Sequence, residues 1–269
     1  MNKKVTILGA IAGDVIGSIY EFNPTKDYNF SLLHPKMEHT DDSIMTIAVA
    51  QWIMEDPTHS LDQLAGIMRY WGHRYPFPMG GYGGGFFDWL ISKDPKPYGS
   101  WGNGSAMRVS ACGFAFPTMD ETLKMARLSA EITHNHPEGI KGAEATAAAI
   151  FMARHHHSKE EIRQYVTEHF GYDLNHTYQE LLPRYRFYAS CQETVPQSLI
   201  AFFDSNDYES AIRQTVSLGG DADTMGAITG AVAAAFYGGI PETIYDFAMA
   251  RLPIDLKEIV VRFESEYNQ

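Results

Sequence analysis

Apolar residues recur in helical steps along most of this chain. In DDSIMTIAVAQWIME they fall at spacings that keep one side of a 3.6-residue helix apolar. The stretches DETLKMARLSAEIT, GIKGAEATAAAIFMARHHH, SKEEIRQYVTEHF, VPQSLIAFFDSNDYESAIRQTVSLG and DADTMGAITGAVAAAFYGGI follow the same rule. Many are rich in alanine and apolar around a broad arc, as suits helices enclosed by other helices. Runs of Val, Ile and Thr alternating with period two are scarce. The pattern predicts an all-α fold, with residues 1–269 forming one domain. The first residues, MNKKVTILGAIAGDVIGSIYEF, set two lysines before an apolar run, faintly like a leader peptide. Asp14 interrupts that run and Glu21 closes it, so the segment reads as a buried helix. No segment offers the roughly 18 uninterrupted apolar residues of a membrane span.

One region breaks the helical pattern. YPFPMGGYGGGFFDWLISKDPKPYGSWGNG, Tyr75 to Gly104, is dense in Gly, Pro and aromatic residues. It predicts loop with one short helix through Phe86–Ile91. It is too aromatic for a flexible linker, and a long ordered loop is often a binding wall.

Composition narrows the partners. The hydrophobic content of 45% suffices for a core, and the formal net charge is -12. Such a surface repels phosphate backbones and anionic membranes, which excludes an extended nucleic-acid face but leaves room for a pocket holding one nucleotide. The two cysteines, Cys112 and Cys191, form no CxxC. That suits a reducing cytoplasm and argues against a zinc ribbon or disulfide scaffold.

Candidate chemistry lies where helices begin. Thr40, Asp41 and Asp42 precede one apolar helix, and Asp221, Asp223 and Thr224 open another. Helix N-termini expose unpaired N–H groups, so capping explains either cluster. It does not require three oxygen-bearing side chains in each. If the clusters converge, six hard oxygen ligands suit Mg²⁺ or Mn²⁺, singly or as a pair. If they never meet, they are two solvated caps. In GSWGNGSAMRVS, Gly102 and Gly104 allow close approach to a ligand, and Asn103 and Ser105 add polar reach. That fits a phosphate or ribose cradle, or an ordinary tight turn. His134 and His136 are two apart and cannot share a helix face, so one is expected to cap or pack and the other to face a polar cavity. His155–His157 read as a solvated helix end. Gly9, Gly13 and Gly17 recur every four residues as a small ridge, and Glu21 follows on the same face. A carboxylate at the end of such a face is either ion-paired or chemically active.

Taken together, GAIAGDVIGSIYEF, HTDDS, GNGSAMR, ITHNHPEG and SLGGDADTMGAITGA, in that order, resemble the ADP-ribosylglycohydrolase family, which includes the bacterial dinitrogenase-reductase-activating glycohydrolase. The resemblance implies a compact, orthogonal helical domain with a central metal-binding cleft and two Mg²⁺ or Mn²⁺ ions. The metal ligands it implies are Thr40, Asp41, Asp42, Asp221, Asp223 and Thr224. It further implies ADP-ribose contacts from Gly102, Asn103, Gly104, Ser105 and His134, with Glu21 as the catalytic or gating acid. Some members carry an aspartate just before the glycine-rich string. Here KPYGSWGNG holds no acid between Lys96 and Gly104, and the nearest is Asp94, which favours Glu21. The implied activity is hydrolysis of the bond between ADP-ribose and an acceptor. A catalytically silent ADP-ribose-binding relative is the alternative, since the family includes a lens-type crystallin. A metal-dependent nucleotide phosphohydrolase is a third reading, which the absence of a His-Asp dipeptide disfavours.

Overall fold

The computed structural model describes residues 2–268. Its helices are α1 (Leu8–Gly17), α2 (Asp41–Glu55), α3 (Leu61–Arg74), α4 (Gly84–Ile91), α5 (Gly104–Met107), α6 (Ser110–Ala115), α7 (Met119–Glu131), α8 (Pro137–Arg154), α9 (Lys159–Phe170), α10 (Tyr178–Leu181), α11 (Cys191–Phe203), α12 (Tyr208–Ser217), α13 (Ala222–Tyr237), α14 (Glu242–Arg251) and α15 (Ile254–Tyr267). The one sheet among the described residues pairs Asn2–Lys3 with Ile240–Pro241, antiparallel. The helical reading therefore holds, with this two-residue pairing as its exception. Buried apolar side chains form one connected cluster from Val5 to Phe263. Among the described residues no helix is long and apolar enough to cross a membrane.

The centre is the pair α1 and α13, and glycine explains their closeness. A Cβ placed on Gly13 would lie 1.9 Å from the Gly226 carbonyl oxygen, and one on Gly17 would lie 2.2 Å from that of Ala222. Gly9 faces Gly230 and Ala234 in the same way. The helices thus run antiparallel with main chain against main chain, along the ridge that the four-residue spacing predicts. Every residue of α1 is buried, as the leader-like segment was expected to be. Ile7 gives α1 no side-chain cap. Glu264 of α15 caps it instead, accepting from the N–H groups of Thr6 (2.6 Å) and Leu8 (3.0 Å).

Two boundaries differ from the sequence pattern. The apolar run from Val195 to Gly219 is two helices, not one. Asp207 interrupts it by accepting from the Ser210 N–H at 2.7 Å and starting α12 afresh. The short helix of the aromatic loop starts at Gly84, two residues before Phe86. Gly85 sits in its first turn because the Tyr98 ring packs there, 3.0 Å from where a Cβ would be.

Candidate functional site

The antiparallel pairing delivers the end of α1 to the start of α13. A 3₁₀ turn, Ser18–Tyr20, then carries the chain to Glu21. Carboxylate oxygens of Glu21, Asp221 and Asp223 lie within 4.8 Å of one another. The start of α2 joins them: Thr224 Oγ1 donates to Asp42 Oδ2 at 3.4 Å, and Thr40 Oγ1 lies 3.5 Å from the same oxygen. The two acid clusters therefore meet. Asp41, Asp42, Asp221, Asp223, Thr224 and Glu21 all line one cleft of about 580 Å³. Capping accounts for only part of this. Thr40 does cap α2, accepting from the Asp42 N–H at 3.2 Å. Asp221 stands at the N-cap position of α13 yet makes no side-chain cap bond, and its Oδ2 accepts instead from Asn103 Nδ2 at 2.7 Å.

A residue with no assigned role in the sequence reading builds this floor. Asp14, wholly buried in α1, accepts from the Thr40 N–H (3.1 Å), Thr40 Oγ1 (2.7 Å), the Ser43 N–H (3.1 Å) and the Ser43 hydroxyl. It fastens the first turn of α2 to α1 and so sets where Asp41 and Asp42 lie. The available signal was a charge inside an otherwise buried helix, which must find donors.

The electrostatics are those of crowded acids. Desolvation, then the charge of Asp223, pushes the Glu21 carboxyl up to about 8. Desolvation likewise raises Asp221 to about 6. Asp41, Asp42 and Asp223 are pushed well above the ordinary carboxylate range, first by desolvation, then by the charge of Asp223 at Asp41 and Asp42 and of Asp221 at Asp223, with Asp14 next at all three. Among the described residues, no lysine or arginine forms an ion pair with any of these five. Asp42 Oδ1 and Glu21 Oε2 are buried with no hydrogen-bond partner. An all-oxygen donor set with unpartnered buried carboxylate oxygens fits a hard divalent cation. The cluster can hold a metal ion.

A pH dependence follows. Unfolding returns these carboxyls to about 4, so the ion-free protein loses stability as pH rises from there through about 8. A cation offsets that loss, and more of it where more carboxylates are ionised. Saturating Mg²⁺ or Mn²⁺ should therefore raise the melting temperature by about 5 °C or more at about pH 8, and by clearly less at about pH 5.5. Scanning fluorimetry reads this directly, and equal shifts at both pH values would count against a cation among these carboxylates.

The walls come from the aromatic loop and the glycine-rich string. Gly81, Gly83–Phe86 and Tyr98–Gly104 line the cleft, with Phe22 and Phe187 at its edge. Phe22 is 72% exposed and stacks on Phe187, ring centroids 6.2 Å apart. The aromatic loop thus forms a wall of the cleft. Gly102 and Gly104 have a local reason as well. A Cβ on Gly104 would sit 3.1 Å from His134 Nε2, and one on Gly102 would sit 3.5 Å from it. Both Asn103 amide hydrogens are engaged, one by Asp221 and one by Thr194 Oγ1 at 3.2 Å. Asn103 thereby ties the string to the acid floor. Ser105 is buried beneath, donating to the Gly139 carbonyl at 2.7 Å. The two histidines divide as expected. His136 caps α8, accepting from the Glu138 N–H at 3.1 Å, and His134 lines the cleft. His155 and His156 are exposed at the end of α8.

Comparison with known proteins places the chain in a family and a fold. Residues 4–260 match the ADP-ribosylglycohydrolase family. The human ADP-ribosylhydrolase ARH3 is 26% identical over 309 aligned positions, covering 86% of this chain and 84% of that one. The ADP-ribosyl dinitrogen reductase glycohydrolase of Rhodospirillum rubrum is 26% identical, with the same coverages. A solved structure described as an ADP-ribosylglycohydrolase-related protein complex superposes with a TM-score of 0.74 over 97% of this chain and 96% of that one, at 22% identity, so the fold is shared. The chain belongs to the ADP-ribosylglycohydrolase family.

Proposed function

We propose that this protein is a hydrolase that cleaves the glycosidic bond between ADP-ribose and an acceptor, with Mg²⁺ or Mn²⁺ held by Thr40, Asp41, Asp42, Asp221, Asp223 and Thr224. The observation that carries this reading is the meeting of both acid clusters with Glu21 on the floor of one cleft, in a chain of this family. A pair of ions suits the six donors. Bound there, the cations would fix ribose hydroxyls and lower the pKa of water.

The chain's own residues do the rest. Arg108, buried in the wall, is the cation of the cleft lining, whereas the floor is acidic. That polarity favours the pyrophosphate toward Gly102–Ser105 and the ribose to be cleaved over the acids. Cleavage develops positive charge at the anomeric carbon of the ribose. Glu21 is the proton-transfer residue, either moving a proton at the scissile bond or orienting water. Glu21 lies within 4.8 Å of Asp221 and Asp223 by its carboxylate oxygens and lines the cleft, which puts it in reach of a ligand held over the floor. Glu21→Gln keeps the shape and removes the titration. It should lower kcat by roughly 10²–10⁴-fold while ADP-ribose still binds, measured by steady-state kinetics and calorimetry.

The test of the reading is a panel of ADP-ribosylated acceptors: arginine, serine, a nucleobase and O-acetyl-ADP-ribose, each with and without chelator. Release of free ADP-ribose from at least one, stopped by chelation and restored by Mg²⁺ or Mn²⁺, is expected. Binding of ADP-ribose with no release from any acceptor would instead identify a catalytically silent protein.

A further inference from the structure

Arg108 is a fully buried cation. It is 1% exposed, and among the described residues it has no ion-pair partner. Its Nη2 donates to the Ser129 carbonyl and to Thr133 Oγ1, both at 2.8 Å. Thr133 Oγ1 in turn lies 2.7 Å from His134 Nδ1. Counting hydrogens decides the direction of this chain. A guanidinium only donates, so Thr133 Oγ1 accepts from Arg108. The Thr133 hydroxyl hydrogen then needs an acceptor, and among the described residues His134 Nδ1 is the partner within reach. A neutral imidazole that accepts at Nδ1 carries its hydrogen on Nε2. That Nε2 lies beside Gly102 and Gly104, in the cleft wall.

We propose that Arg108 and Thr133 are positioning residues that lock His134 in its Nε2–H form, so that it permanently offers a hydrogen bond to a ligand oxygen at this end of the cleft. The charged and titratable groups facing the ring are the Arg108 guanidinium and the Tyr98 phenol, whose ring centroid is 6.0 Å from that of His134. Desolvation first, and then the Arg108 charge, hold the imidazole well below its ordinary pKa, which agrees with a neutral donor. The His134 N–H donates to the Ala130 carbonyl at 2.7 Å, which fixes the backbone under the ring. A neutral donor suits a phosphate or ribose oxygen. The identity of that oxygen's owner rests on the function proposed above, whereas the tautomer does not.

Nitrogen-15 NMR of the imidazoles tests this, with the His134 signals assigned by comparison with His134→Asn. In the wild-type protein Nδ1 should resonate as an unprotonated nitrogen and Nε2 as a protonated one. Thr133→Val removes the hydroxyl at nearly constant shape. It should mix the two tautomers and weaken ADP-ribose binding about tenfold by calorimetry, and Thr133→Ser should restore both. A protonated Nδ1 in the wild-type protein overturns the proposal without any variant. So does a Thr133→Val protein whose His134 spectrum is unchanged. Failure of ADP-ribose to bind, with the tautomer as expected, would overturn the ligand reading and leave the relay standing.

Discussion

Asp41→Ala and Asp223→Ala should each reduce release of ADP-ribose by at least about 10³-fold, since a catalytic cation contributes several kcal/mol to the transition state. The two residues stand at the starts of different helices. Desolvation raises both carboxyls first, followed by the charge of Asp223 at Asp41 and the charge of Asp221 at Asp223. Removing either takes one anionic donor from a set in which the others repel one another. The same crowding predicts an opposite effect on folding. Without cation, Asp223→Ala relieves repulsion with Asp221 and Asp14, so its ion-free melting temperature should equal or exceed that of the wild type. Activity at saturating Mg²⁺ beside an ion-free melting curve separates a lost ligand from a damaged fold. Full activity in both variants would remove metal from the mechanism.

Gly13→Ala should destabilise the protein by at least about 3 kcal/mol, the upper range for overpacking. The added methyl meets main chain, at 1.9 Å from the Gly226 oxygen, and no rotamer change can relieve that. For a chain of this size the melting temperature should fall by roughly 6–12 °C. Because α1 carries Asp14 and leads to Glu21, separating α1 from α13 also disperses the acid floor. Cation-induced stabilisation should therefore shrink together with the melting temperature. Gly66→Ala is the control. It lies in α3 with nothing within 4 Å of the added carbon and should stabilise by about 0.5–1 kcal/mol. Thermal unfolding of both variants checks the pair, and an unchanged melting temperature in Gly13→Ala would contradict the close packing of α1 on α13.

The features legible in the sequence are those that repeat locally. Four-residue spacing of Gly9, Gly13 and Gly17 identified a close-packed face, and the Thr and Asp clusters marked helix starts at positions 40 and 221. The separation of His134 from His136 followed from their spacing. Long-range pairing was not legible by such means. Asp14 finds its donors 26 and 29 positions away, so only its oddity within an apolar run is visible. Asp42 meets Thr224 across 182 positions, and no periodicity encodes that; the order of short motifs pointed to it only through resemblance. Asn103 reads as polar reach between two close-approach glycines, but which partner occupies its amide depends on α11 and α13 arriving from elsewhere. The break at Asp207 is hidden in the sequence because a capping acid inside a long amphipathic run looks like one more polar position.

The central claim is that residues near position 41 and residues near position 223 form one cation site. Equilibrium binding of Mn²⁺, followed by calorimetry on the wild-type protein, Asp42→Asn, Asp223→Asn and the double variant, tests it most directly. A shared site predicts that either substitution alone weakens binding by at least about tenfold, and that the double variant loses less than the sum of the two. Wild-type affinity and stoichiometry in either single variant would contradict it.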